Sequence, residues 1–122
     1  MEVVVKLLVV SINWQDGNFY IILHDGRIPE GTPILSDQNQ PEQYSLNLAE
    51  SLVSVSKQWM NTSIVTSYYL EDKLNLVYKI VIPHDPALKL KNNSEWINIK
   101  KFNSYSYDEY LVKAIEKAIQ GI

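Results

Sequence analysis

The stretch SLNLAESLVSVSKQWM, residues 45–60, decides the fold because it predicts one strongly amphipathic helix. At 3.6 residues per turn, one half of its helical wheel is apolar and the other half is polar and nearly neutral. Ser45 is a suitable N-cap residue, and the polar half carries a single carboxylate, Glu50. The apolar half consists of Leu46, Leu48, Ala49, Leu52, Val53, Val55, Trp59 and Met60.

Two apolar runs before this helix predict an N-terminal β-hairpin. Residues 3–12 are rich in β-branched side chains and almost continuously apolar, which suits a strand covered on both faces. Gly17 allows the following turn to adopt a positive φ. Residues 18–24 alternate as the second arm, and the Gly- and Pro-punctuated residues 25–44 predict a long loop.

The segment after the helix predicts a second hairpin and a short strand. Residues 63–70 and 73–82 are separated only by Glu71 and Asp72, so we expect these two runs to pair around a tight turn. Pro83 ends the second run. A short strand is expected at residues 95–99.

A capping box, Ser106-Tyr-Asp-Glu109, predicts a C-terminal helix. Gly121 suits the left-handed geometry that is common just beyond a helix. The order strand, strand, long loop, helix, strand, strand, strand, helix predicts an α+β fold, a mixed sheet sandwiched by two main helices, in one domain over residues 1–122. The apolar stripe of the last helix is Tyr107, Leu111, Ala114, Ile115, Ala118 and Ile119.

Composition and charge exclude several classes of function. A chain of 122 residues, 46% of them hydrophobic, suits one buried core. The net charge of −3 gives no attraction to phosphate backbones, so no direct nucleic-acid partner is expected. The apolar N-terminal run is too short to span a bilayer, so we predict no membrane association. Cysteine is absent, which removes thiolate chemistry and is compatible with the cytoplasm, where we place the protein.

The acidic residues do not predict a metal site. A hard cation needs several oxygen ligands that converge within a few ångströms, and nothing in the spacing of these residues indicates convergence. Glu71 and Asp72 are better explained as a hairpin turn, and we therefore predict no metal ligands and no catalytic residues. The acids considered for a displaced metal site were Asp37, Glu42, Glu50, Glu71 and Asp72.

The aromatic residues offer candidate contact surfaces. Trp59 and Trp96 lie on stripes predicted to be buried, whereas Trp14 at a turn and one of Tyr68 and Tyr69, on opposite faces of a strand, should face outward. Such exposed rings can stack on a base or form a protein interface, including a homodimer joined through sheet edges.

The element order and the C-terminal motifs resemble a Nudix domain over nearly the whole chain. Trp96-Ile97-Asn98-Ile99 looks like the family's strand of Trp, apolar, any, apolar. Tyr105-Ser-Tyr107-Asp108-Glu109 looks like the segment in which an Asp follows an aromatic residue and opens the last helix. ADP-ribose pyrophosphatases and the Nudix-containing repressors of nicotinamide metabolism carry this version, so the resemblance implies a Nudix-like α/β/α sandwich.

The family's defining Nudix box is degenerate in this chain. The resemblance implies a glycine-rich approach and a helix whose glutamates bind Mg or Mn, but the aligned helix offers only Glu50. The approach, Gly31-Thr-Pro-Ile-Leu-Ser-Asp37, lacks paired glycines. No cofactor is therefore expected, with Mg or Mn needed only if other acids have replaced the missing ones.

The resemblance by itself implies a hydrolase, but because the box glutamates are missing we predict a catalytically inactive Nudix-fold domain that binds a nucleotide derivative such as ADP-ribose or assembles with a protein. One alternative is a divergent hydrolase of nucleoside diphosphate derivatives with relocated metal ligands. Another is a ligand-sensing subunit of a transcription regulator, which would need a separate DNA-binding partner. If the family cleft is retained, the ligand-binding residues are Arg27, Tyr68, Tyr69 and Tyr78, with His84 on a loop beside Pro83 and Pro86.

Overall fold

A mixed six-stranded β-sheet between two α-helices forms the core of the computed structural model, which describes residues 2–83, 88–91 and 93–122. The strand order is β4-β5-β1-β2-β6, and the two-residue β3 pairs separately with β1. The elements are β1 (Glu2–Asn13), β2 (Asn18–His24), β3 (Glu30–Gly31), α1 (Pro41–Glu50), β4 (Thr62–Leu70), β5 (Lys73–Val81), β6 (Ser94–Asn98) and α2 (Glu109–Gln120), with short 3-10 turns at Lys57–Trp59, Ile99–Lys101 and Ser104–Ser106.

The central strand β1 makes the sheet mixed. It pairs in parallel with β5 over nine register positions and antiparallel with β2 and β3, while β4 and β6 add antiparallel strands at the two edges. Both faces of β1 are covered, and its sequence is almost continuously apolar for that reason. The structure confirms the predicted α+β fold with two main helices and all five predicted strands to within a residue or so at each end.

Each face of the sheet packs against one helix, so the interior has two layers. Alternation along β1 sends even-numbered residues such as Leu8 and Val10 towards α2, and odd-numbered residues such as Leu7 and Val9 towards α1. The sheet therefore separates an α1 side from an α2 side. Neither helix among the described residues is long and apolar enough to cross a bilayer.

The predicted boundaries of the first helix were wrong. The helix begins at Pro41, which suits the first turn of a helix, and ends at Glu50 instead of Met60. Ser45 is not an N-cap: it is fully buried in the helix, and its hydroxyl contacts the carbonyl of Glu42 and the hydroxyl of Thr62.

The segment after Glu50 is not helical because its backbone forms hydrogen bonds with residues 89 and 91. Lys91 donates its N–H to the carbonyl of Leu52 at 2.7 Å, and Ser54 donates to Lys89 at 3.2 Å. The alternating serines and valines of SLVSVS also have low helix propensity. As a consequence Trp59, predicted to be buried, is 77% exposed.

The start of α2 also differs from the prediction. Its N-cap is Asp108, whose Oδ1 accepts from the N–H of Leu111 at 2.8 Å, while Ser106 lies in the preceding 3-10 turn. Tyr107, the residue before this N-cap, has an extended backbone, and its ring stacks on Phe102, with ring centres 4.9 Å apart. Gly121 has φ −81°, so the predicted left-handed cap was wrong.

Both predicted hairpin turns are confirmed. Gly17 has φ +71°, as the turn after β1 requires. Glu71 and Asp72 form the two-residue turn between β4 and β5, with φ values of +54° and +62°. These two acids therefore serve the hairpin, in agreement with the interpretation made from the sequence.

Candidate functional site

A polar cavity of about 400 Å³ lies on the α2 side of the sheet, where the N-terminus of α2 approaches β1 and β3. We call it the α2 pocket. Its volume falls within the range of small-molecule sites, which is about 300–1,000 Å³. It is lined by Lys6, Gly26, Arg27, Ile28, Glu30, Ser106, Tyr107 and Asp108.

The pocket contains an ion pair set by strand register. Lys6 interrupts the apolar run of β1 and, as an even-numbered residue, faces the α2 side. Glu30 of β3 is its direct register partner, and the two side chains are joined by a Lys6 Nζ to Glu30 Oε1 distance of 3.2 Å. The Lys6 side chain is only 12% exposed and that of Glu30 is 51% exposed, so the ammonium is held beneath a half-exposed carboxylate.

Arg27 stands at the rim of the pocket in a tight turn. Asp25 and Gly26 both take positive φ, and the turn is closed by reciprocal backbone hydrogen bonds of 2.8 and 3.0 Å between His24 and Arg27. The Arg27 side chain is exposed, and its guanidinium forms no ion pair with any described residue. It is therefore available as a forked donor for a phosphate or carboxylate.

Hydrogen bonds hold two lining residues of the pocket, Tyr107 and Asp108, in place. The Tyr107 hydroxyl accepts from the N–H of Ile28 at 3.3 Å, which connects the start of α2 to the turn that carries Arg27. Asp108 accepts from the hydroxyl of Tyr68 at 3.4 Å. Burial, and then the nearby charges of Asp108 and Glu30, raise the pKa of Tyr68, so this tyrosine stays a protonated donor at neutral pH.

The structure brings together only some of the residues predicted to bind a ligand. Arg27 lines the α2 pocket and Tyr68 borders it through Asp108. Tyr69 and Tyr78 lie on the α1 side of the sheet, where Tyr69 is 63% exposed and Tyr78 is buried. The hydroxyl of Tyr78 donates to Glu42 Oε1 at 3.4 Å, and burial followed by the Glu42 charge raises the pKa of Tyr78 to about 12. The remaining candidate, His84, lies outside the described residues.

Reasoning from the sequence did not select three of the pocket residues, Lys6, Glu30 and Asp108, as candidates for ligand binding. Lys6 carried a usable signal, because a lysine inside a strand that is apolar on both faces needs a partner. Asp108 was noticed as the start of a helix but not as a binding group. Glu30 carried no local signal, since only its pairing with β1 places it opposite Lys6.

The acids on α1 do not fit the metal site that the family's box would provide. The observed helix carries Glu42 as well as Glu50, but eight residues separate them, about 12 Å along the helix axis. Glu50 Oε2 accepts from the N–H of Lys57 at 2.9 Å and so caps the next 3-10 turn. Among residues 2–83, 88–91 and 93–122 no three acids or histidines form a group able to hold a metal ion.

Comparison with solved structures identifies the fold as Nudix-like, as the resemblance implied. No family model matches the sequence, and no curated protein matches it. An Ap4A hydrolase of C. elegans superposes with a TM-score of 0.71 at 10% identity, covering 98% of this chain and 97% of that one. The NUDIX domain of Shewanella oneidensis NrtR, solved with ADP ribose, gives 0.64 at 12% identity, covering 97% and 86%.

A third similar structure is the C-terminal domain of mouse MUTYH in complex with human PCNA. It superposes with a TM-score of 0.72 at 13% identity, covering 99% of this chain and 89% of that one. At identities of 10–13%, structural similarity shows the fold alone. A function for this chain has to be inferred from the chemistry of the α2 pocket.

Proposed function

We propose that this chain binds a nucleotide derivative in the α2 pocket and does not hydrolyse it. The observation that carries the proposal is the arrangement of the Arg27 guanidinium, which forms no ion pair with a described residue, beside two carboxylates, Glu30 and Asp108, in one cavity. A nucleotide derivative presents phosphates to a cation, and it presents amino and hydroxyl groups to carboxylates. Both kinds of partner are present within this pocket.

The ligand class is supported by chemistry and by one similar structure. Arginine binds phosphate oxygens bidentately, which favours a phosphate at the rim of the pocket, where Arg27 is exposed. The base or ribose would then lie further in, against Asp108. Because the NrtR domain was solved with ADP ribose, we choose ADP-ribose as the first ligand to test.

Calorimetric titration with ADP-ribose tests this proposal. Arg27→Gln should weaken binding by about tenfold to a hundredfold, since a hydrogen bond to a charged group contributes about 1.5–3 kcal/mol. Lys100→Gln is the matched control, because it removes one positive charge from an exposed residue outside the pocket. Equal affinities for Arg27→Gln and the parent chain would contradict the assignment of the pocket. No heat with ADP-ribose, NADH or nucleoside triphosphates would reject nucleotide binding itself.

The proposal that the chain does not hydrolyse the nucleotide rests on the environment of Glu50. Its carboxylate already accepts from the backbone of Lys57, and Glu42 is about two helical turns away. We therefore expect no magnesium-dependent release of phosphate or AMP from the same panel of nucleotides. Turnover that disappears in Glu50→Gln would instead establish the divergent hydrolase with relocated ligands. The Gln side chain keeps an oxygen that can accept from Lys57, so loss of folding would not explain such a result.

Protein assembly is the second proposed role. Trp14 is 83% exposed and Trp59 is 77% exposed, and exposed aromatic residues are common at interfaces. The MUTYH domain, which shares the fold, was solved with a protein partner. We also propose that the protein forms a homodimer in the cytoplasm, or alternatively that it is the ligand-sensing subunit of a transcription regulator. Light scattering tests the first, and co-purification of a helix-turn-helix protein tests the second.

A further inference from the structure

The edge strand β4 is unusually open to pairing with another chain. Among the described residues it pairs only with β5, and its nine residues, TSIVTSYYL, include no charged side chain and no proline. Natural sheets commonly protect such an edge with lysine, proline or a bulge, and β4 has only a bulge between Ile64 and Thr66. Its outer backbone groups can therefore form hydrogen bonds with an added strand.

Helix α2 lies alongside this edge and forms a groove with it. At one end Tyr110 stacks on Tyr68, with ring centres 5.2 Å apart. At the other end Lys79 Nζ donates to the carbonyl of Ala118 at 3.2 Å, and Lys79 is the register partner of Ser63. The helix thus runs antiparallel to β4 along most of its length.

The groove has two positive charges on its helical wall. Its volume is about 280 Å³, and its lining includes Thr66 and Ser67 from β4 and Lys113 and Lys117 from α2. Both lysines are exposed, and neither forms an ion pair with a described residue. The acids of α2 lie on its other flank, since Glu109 and Glu116 line a separate depression, although Lys113 borders that one too.

The spacing of the two lysines matches an extended strand. Four residues separate them, which is about 6 Å along the helix axis. Alternate side chains of a β-strand, which point to the same face, are about 6.6 Å apart. Two acidic residues at positions i and i+2 of an added strand can therefore face Lys113 and Lys117 together.

The other face of the added strand would meet apolar side chains. Ile64 and Tyr69 of β4 lie on the α1 side of the sheet and are 54% and 63% exposed. Side chains of the added strand on that face would shield these two from water. The surface as a whole therefore favours a segment in which acidic residues alternate with apolar ones.

We propose that the β4 edge binds an extended acidic peptide segment as an additional strand, with its acidic side chains on Lys113 and Lys117. The occupant is a protein partner and not a second copy of this chain. A copy of β4 supplies no acid, and antiparallel pairing of two β4 strands would bring two lysine pairs to the same face of the joined sheet, where they repel. The proposal does not rest on nucleotide binding, since this groove and the α2 pocket share no lining residue.

The test uses a fluorescein-labelled nine-residue peptide in which Glu alternates with Val, and the same peptide with Lys in place of Glu. Fluorescence anisotropy should show binding of the Glu peptide, weakening as salt is added, and no binding of the Lys peptide. Lys113→Gln with Lys117→Gln should weaken binding about tenfold. Lys100→Gln with Lys101→Gln is the control of equal charge change, because both residues are exposed and lie outside the groove.

Hydrogen exchange identifies the site of binding. Bound Glu peptide should slow amide exchange in residues 62–70, because strand addition engages their free backbone groups. The proposal is overturned if the Glu peptide does not bind at about 1 mM, if both double variants weaken it equally, or if exchange in residues 62–70 is unchanged. A dimer that already protects residues 62–70 without peptide would show that a second copy occupies the edge.

Discussion

Asp108 binds two groups at once: its Oδ1 caps α2 by accepting from the N–H of Leu111 at 2.8 Å, and its Oδ2 accepts from the Tyr68 hydroxyl at 3.4 Å. The same carboxylate lines the α2 pocket. One side chain therefore connects the start of a helix, an edge strand and the candidate binding site, so its substitution should affect both stability and ligand binding.

Asp108→Ala should lower the free energy of unfolding by about 1–2 kcal/mol, because loss of an N-cap alone costs about 1 kcal/mol and the Tyr68 hydroxyl also loses its acceptor. Urea denaturation measures the change. Asp108→Asn retains an oxygen that can cap the helix and should cost less. If Asn and Ala are equally destabilising, capping is not what the residue contributes.

Tyr78 should make the fold sensitive to alkali. Its pKa is raised to about 12 from the usual 10.0, so the folded state favours the protonated hydroxyl. Its stabilising contribution is complete below pH 10 and is lost as the pH rises from 10 to about 12. The free energy of unfolding of the parent chain should fall more steeply over that range than that of Tyr78→Phe. Parallel pH profiles of the two proteins would contradict this.

Gly31 is needed because Tyr44 lies against it. A Cβ at residue 31 would overlap the Tyr44 hydroxyl and lie 2.8 Å from the ring carbon that bears it. Gly31→Ala should therefore destabilise the fold by about 1–3 kcal/mol. In a Tyr44→Phe background the hydroxyl is gone and the same substitution should cost less. A double-mutant cycle measured by urea denaturation gives the coupling, and additive effects would contradict the proposed overlap.

Ser11 carries a buried hydroxyl that has no hydrogen-bond partner among the described residues. Leaving such a group unpaired costs about 1–3 kcal/mol, so Ser11→Ala should raise the free energy of unfolding by about 1 kcal/mol. Ser63→Ala, at an exposed strand position, is the control and should change stability little. A destabilised Ser11→Ala would mean that the hydroxyl is hydrogen-bonded in solution.

The amino-acid sequence alone determined the strands, both hairpin turns and the presence of two helices. These features depend on local patterns, namely the near-continuous apolar run of β1, alternation in β2 and β5, and the short Glu71-Asp72 turn. The apolar stripe of α2 was also recognised, because Leu111, Ala114, Ile115 and Ala118 are all buried as their spacing predicts.

Only the tertiary structure decided where α1 ends and which residues form the α2 pocket. Hydrogen bonds from Lys91 and Ser54 draw the segment after Glu50 out of the helix, and the helical periodicity of that segment could not reveal partners so distant in sequence. Likewise Lys6, Glu30 and Asp108 meet because β3 pairs with β1 and α2 packs over that face of the sheet. Periodicity fixes what each segment becomes, whereas the juxtaposition of distant side chains depends on the pairing register and packing of the whole chain.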